Sequence, residues 1–239
     1  MRKSLTSKVV FVSTNISYNN EYLYRMSSIG IRLPPQMVSE AVLKRKCEFA
    51  AGRYCAFEAL QSLGISIPID IPVGPNREPV WPANTIGSIS HCQGIAVAVA
   101  AHRSDVTYLG VDIEPLISPE ICDQIWHCVV CEKESKFSKG FSSRETFLTV
   151  VFSAKEALYK ALFPRIKQVV GFDAVKVSGL EVKKQMMSLS LNFSFDDSLT
   201  FGQTFLVHYQ AYSDQTILTF LHQEREKFKE GVNPYQTHK

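Results

Sequence analysis

The sequence predicts an α+β fold: two similar lobes, each a helix packed on a mostly antiparallel sheet. Three observations carry this expectation. Each half of the 239-residue chain opens on a helical pattern and continues as strands. The length allows one large domain or two of about 100–120 residues each. The composition, 45% hydrophobic and 21% charged, is that of a globular chain able to bury a core in each. No close repeat links the halves, so their likeness rests on element order. The division is placed at 1–115 and 116–239.

The elements follow in order. Residues 36–64 read as one helix, with room for a break: Val42, Leu43, Phe49, Ala50, Cys55, Ala56, Ala59, Leu60 and Leu63 recur at helical spacing. Gly64 stands where a helix stop belongs. Residues 66–84, with six Pro or Gly from Pro68 to Pro82, read as loop holding at most short strands. Strands are expected at 86–90, 95–101 and 108–113, the last closed by Glu114-Pro115. Helices follow at 119–136 and 144–163, the second ended by Pro164. Strands return at 174–177, 188–195, 201–212 and 216–221, and from residue 223 the polar end is expected to fray.

Charge and cysteines narrow the class. A net charge of +3 and pI of about 8.5 fall short of a nucleic-acid-binding domain. The apolar run Val9-Val10-Phe11-Val12 is too short for a signal peptide, and no stretch is long enough to span a membrane. The expectation is a cytoplasmic protein whose six cysteines are reduced, several of them buried. Cys122, His127, Cys128 and Cys131 crowd together and raise a zinc module, but Cys128-x-x-Cys131 lacks a second pair.

Four stretches can carry chemistry. In Gly110-Val111-Asp112-Ile113-Glu114, strand alternation turns Asp112 and Glu114 to one face. Paired carboxylates repel, and a hard divalent cation removes that penalty; the plainer reading is an acidic strand end. In Lys155-Glu156-Ala157-Leu158-Tyr159-Lys160, Glu156 and Lys160 share a helix face within an apolar segment, which suggests a partly buried site facing an anion rather than a surface ion pair. Ser90-His91 could donate hydrogen bonds to a phosphate, the alternative being a structural histidine. Arg77, in a stiff Pro-rich loop, could join Arg45 and Arg53 as a phosphate clamp, the alternative being three solvated cations.

Taken together, GRYCAFEAL (52–60), GPNREPVWP (74–82), GSISHC (87–92), GVDIE (110–114) and FSAKEALYKALFP (152–164) resemble the 4′-phosphopantetheinyl transferases of the surfactin type, in particular the branch serving enterobactin-like siderophore assembly. The motifs stand in the family's order and cover most of residues 45–165; the last third matches only in general character. The resemblance implies two similar lobes with the site between them, and transfer of the phosphopantetheine arm of coenzyme A to a serine of an apo carrier protein, peptidyl, aryl or acyl. It implies a magnesium ion, with manganese an alternative, on Asp112, Glu114 and Glu156, a water standing in at Ile113. It places Arg45, Arg53, Arg77, Ser90 and His91 on coenzyme A, and Lys155 and Lys160 at its pyrophosphate. Glu156 would be the general base and Lys155 or Lys160 would assist the leaving group. The first lobe would hold the 3′-phosphate contacts and first metal ligands, the second the third ligand and the carrier contacts, with Phe137, Lys139 and Phe141 in 116–145. A monomer is expected. A non-catalytic coenzyme A-binding protein would need neither Glu156 nor Lys160.

Overall fold

The computed structural model describes residues 2–65 and 71–225, with side chains from Thr6 onward; residues 66–70 of the expected loop and the polar end beyond Arg225 lie outside the described residues. The first lobe contains β1 (Arg2–Thr6), β2 (Val9–Asn15), α1 (Asn20–Ser28), α2 (Pro35–Glu40), α3 (Leu43–Ser62), β3 (Thr85–Cys92) and β4 (Ile95–His102). The second contains β5 (Val106–Pro115), α4 (Pro119–Val129), a 3-10 turn (Ser135–Gly140), α5 (Arg144–Ile166), a second 3-10 turn (Phe172–Ala174), β6 (Val175–Glu181), β7 (Met186–Leu191), β8 (Thr204–Ser213) and β9 (Thr216–Glu224). The sheets run β1-β2-β4-β3 and β5-β9-β8-β7-β6, with antiparallel pairing throughout. In each lobe the strand before the long helix pairs with the lobe's last strand, β2 with β4 and β5 with β9. That shared topology is the two-lobe likeness expected from element order.

The alternation of β4 explains how the lobes join. Ala96, Ala98 and Ala100 turn to α3, whose own small residues Ala50, Ala51, Cys55, Ala56 and Ala59 let helix and sheet approach closely. Val97, Val99 and Ala101 turn the other way, onto Leu109, Val111 and Ile113 of β5 and Leu218 of β9. One strand therefore serves two cores. Gln93 and Gly94, both at positive φ, close the β3–β4 hairpin in two residues and fix its register.

Several element bounds depart from expectation for local reasons. The helix expected at 36–64 is broken where Ala41 and Val42 are extended, giving α2 and α3. The helix expected at 119–136 stops at Val129; Val130 is extended, and the Glu134 carboxylate takes the Cys131 N–H. α5 continues past Pro164 to Ile166, because a proline in the last turn forfeits a single backbone bond and the Lys167 N–H still closes on Phe163 O at 2.9 Å. The strand expected at 188–195 is Met186–Leu191 and that at 201–212 is Thr204–Ser213, since Gly202, at φ 80°, turns the chain between them. Strands β1 and β2 and helix α1 were not expected. Strand pairing also reassigns β5. It hydrogen-bonds to β9, so Asp112 and Glu114, expected on the first lobe, belong to the second sheet, and a division by sheets falls between His102 and Val106.

Candidate active site

β3 and β5 are the last strands of their sheets, and they lie side by side. Serine side chains join them: Ser88 Oγ accepts from Val111 N–H at 3.1 Å, and Ser90 Oγ donates to Asp112 Oδ1 at 2.8 Å. Asp112 is buried, 1% exposed, and its charge is met by three donors from two elements. Besides Ser90, Lys160 Nζ on α5 lies 2.6 Å from Oδ1, and Ser153 Oγ donates to Oδ2 at 2.7 Å. Because the Ser153 proton goes to Asp112, Thr219 on β9 donates to Ser153, at 2.8 Å. Lys160 also reaches Ser90 Oγ at 3.0 Å.

Glu114 follows on the same face of β5, and Glu156 precedes Lys160 by one turn of α5. Burial, then repulsion from Asp112 and Glu156, lifts the Glu114 carboxyl to about 7 against the pull of Lys160. Burial likewise raises Glu156, Lys160 opposing and Asp112 adding to the rise. One ammonium is too little for three carboxylates. In charge and in hard oxygen donors the set fits a small divalent cation. Among the described residues, however, no three acidic, His or Cys side chains are gathered round one point, and Lys160 holds the Asp112 oxygen that an ion would take.

A cation-lined cavity of about 420 Å³ adjoins this cluster, bounded by Arg45, Glu48, Phe49, Arg53, Arg77 and His91. Gly52 is needed at its back wall: a Cβ there would sit 2.8 Å from Ile89 Cγ2. Arg53 is buried, its Nε donating to Ile71 O at 2.8 Å and its guanidinium lying 4.5 Å over the Phe49 ring. Arg45 donates to His91 Nε2 at 2.7 Å, so the neutral ring carries its proton on Nδ1, 3.8 Å from Glu48 Oε2. Burial holds the His91 imidazole below its ordinary range; Glu48 opposes that, while Arg45 and Lys160 reinforce it. Arg77, at φ 66°, also borders a second groove of about 430 Å³ between the 76–81 loop and Tyr159, Lys160 and Phe163 of α5 with Lys167 just beyond it. Glu78 and Lys167 meet across that groove at 3.4 Å.

The stretches building this seam match two family descriptions in succession. Residues 33–101 match the 4′-phosphopantetheinyl transferase N-terminal domain, and residues 108–228, more than half of the chain, match the 4′-phosphopantetheinyl transferase superfamily. The chain belongs to the 4′-phosphopantetheinyl transferase superfamily. Among relatives of this transferase-superfamily chain, enterobactin synthase component D of Salmonella typhi is 36% identical over 139 residues, covering 57% of this chain and 56% of the relative. The 4′-phosphopantetheinyl transferase PptT of Mycobacterium tuberculosis is 33% identical over 144 residues, 59% of this chain and 62% of the relative. Npt of Nocardia iowensis, of the same description, is 31% identical over 142 residues, 59% and 63%. The matched stretch thus spans somewhat over half the length of these curated relatives.

Within this transferase-superfamily fold, the expected residues fall into two adjoining groups. Asp112, Glu114, Glu156, Lys160 and Ser90 converge on the seam; Arg45, Arg53, Arg77 and His91 line the cavity beside it. Lys155 joins neither, a correction to its expected place at the pyrophosphate. It is 4% exposed and bound to Val129 O, Phe172 O and Glu134. Sequence reading missed Glu48, Ser153, Thr219 and Glu134. The signal for Ser153 was present, since it lies on the turn of α5 before Glu156 in the quoted motif. Phe137 and Phe141 are half-buried against the second core, Phe141 meeting Phe147 and Tyr209 at 5.4 Å, while Lys139 is exposed. Cys122 is buried whereas Cys128 and Cys131 are exposed, so these thiols do not share the common pocket a zinc module needs.

Proposed function

We propose that this chain transfers the 4′-phosphopantetheine group of coenzyme A to a serine of an apo carrier protein, releasing 3′,5′-ADP. The observation that carries the proposal is the seam cluster. Three carboxylates close enough to feel one another's charge, one of them bound to Lys160, stand beside a cavity lined by arginine and histidine, on the stretches that match the family. Arg45, Arg53 and His91 supply bidentate and single donors for the 3′-phosphate, with Arg77 at the entrance. Ser90 and Lys160 donate to pyrophosphate oxygens, and the Lys160 ammonium offsets charge on the departing bisphosphate. Glu156, raised by burial, takes the proton of the carrier serine as its oxygen attacks the phosphorus nearer the pantetheine. Asp112, Glu114 and Glu156 would hold magnesium, or manganese in its place; bound there, the ion would neutralise pyrophosphate charge. With such an ion bound, Lys160 would release Asp112 and turn to the substrate.

The likeness to enterobactin synthase component D supports carriers of siderophore assembly; other nonribosomal peptide, polyketide and fatty-acid carriers are the further candidates. Among the described residues no helix is long and apolar enough to cross a membrane. We place the protein in the cytoplasm as a monomer, with 116–145 as carrier contact. The test incubates the protein with coenzyme A, magnesium and apo peptidyl, aryl and acyl carriers, then weighs each carrier. A phosphopantetheine-sized mass gain on at least one is expected. No gain on any of them, with coenzyme A still bound, would leave a non-catalytic binding protein.

A further inference from the structure

Next to Glu156 in α5 lies a charged pair of which the motifs show only one half. Lys155 Nζ is 2.9 Å from Glu134 Oε1, and the two side chains are 3% and 2% exposed. An ammonium has three protons to donate. Here they go to Glu134, to Val129 O at 2.7 Å and to Phe172 O at 3.3 Å. Glu134 is equally filled: Oε1 also accepts from Val177 N–H and Oε2 from Cys131 N–H, both at 2.6 Å. A buried ion pair persists when every donor and acceptor is met in this way, and removal of one partner strands the other. No Lys155 proton is left for a ligand.

The partners belong to four stretches: the end of α4, the loop behind it, the turn at Phe172–Ala174 and β6. Lys155 ties all of them to α5. Two of them wall a cavity of about 170 Å³ that Glu156 borders. Glu156, Tyr159 and Leu162 line it from α5, and Val170, Phe172 and Val175 line it from the other side. The carbonyl that Lys155 holds is that of Phe172, whose ring also meets Phe152 at 5.1 Å. The wall of the cavity beside Glu156 thus hangs on this pair.

We propose that Glu134 and Lys155 are positioning residues, which set the 171–177 wall against α5 and thereby fix how substrate sits beside Glu156. This rests on the transferase reading above. The test compares Lys155→Met, Glu134→Gln and the paired apolar replacement Glu134→Leu with Lys155→Met, each in the full chain. Melting temperature, coenzyme A affinity, kcat for carrier modification and amide hydrogen exchange are read for all. Lys155→Met is expected to speed exchange in 129–134 and 171–177 and to lower kcat about tenfold or more. Coenzyme A affinity should stay within about twofold. The paired replacement should recover the melting temperature and most of kcat, because no charge is left stranded. Should Lys155→Met not fold, the paired variant and Glu134→Gln carry the same comparison. Recovery of melting temperature without kcat would mean that Lys155 acts on the reacting groups, and would overturn the proposal. So would unchanged exchange in 171–177. A wild type that modifies no carrier would fail the transferase reading alone, and the exchange data would still judge the pair.

Discussion

Glu156 and Lys160 lie one helical turn apart and face the same buried aspartate, yet they carry different duties. Glu156→Gln keeps the shape and removes the proton acceptor. On the proposed mechanism, transfer should fall by about a hundredfold or more, while coenzyme A affinity, assigned there to Arg45, Arg53 and His91, should change little; single-turnover kinetics and calorimetry check both. The thiols give a second prediction. Burial pushes Cys55 and Cys92 up to about 12, so they stay protonated and unreactive in the folded chain. A thiol reagent at mildly alkaline pH should label Cys128 and Cys131 quickly, and the four buried cysteines only after denaturant is added. Residues of this kind differ in how far sequence reveals them. Asp112 and Glu114 were legible because a strand repeats every two residues. Lys155 was not, because adjacent helix residues diverge by about 100°, and which one meets the ligand depends on the distant Glu134.

At the scale of elements, the docking of α5 on β5 rests on one glycine. A Cβ at Gly110 would fall on the Ala157 carbonyl oxygen and crowd the Ala161 methyl. Neither partner can yield without moving the helix that holds Glu156 and Lys160. Gly110→Ala should therefore destabilise the protein by about 3 kcal/mol or more, read as a lost midpoint in urea unfolding. Long elements with strong periodicity were legible, as α3, α5 and β3 to β5 show. Shorter ones were not. β2 displayed only four consecutive apolar residues, a run that strand and helix share. α1 buries just Tyr22 and Met26, and its clearest mark is the Asn19 side chain accepting from the Tyr22 N–H at 2.8 Å. The bounds of α4 hinge on Glu134 reaching back to Cys131, a contact that no propensity encodes.

Across the whole molecule, stability should depend on two imidazoles of the second sheet. Burial holds His208 and His222 below their ordinary range; His222 lowers His208 further, while at His222 Glu224 opposes the drop and Lys8 adds to it. In the unfolded chain both take up protons near pH 6.5, so the unfolded state binds more protons there and stability is lost as the pH falls through that value. Between about pH 7.5 and 5.5 these histidines pull the melting temperature down, against the opposite pull of Glu114, and His222→Gln should leave the protein relatively more stable in acid than the unchanged chain. The juxtaposed end strands have another consequence. β3 and β5 each turn an unladdered backbone edge toward the other lobe, with hydroxyl groups in place of a continuous ladder. Edges of this type recruit strands from other molecules when left open. Each lobe is therefore the other's guard against aggregation, and β3, completed first as the chain leaves the ribosome, is exposed until β5 has been made and has docked.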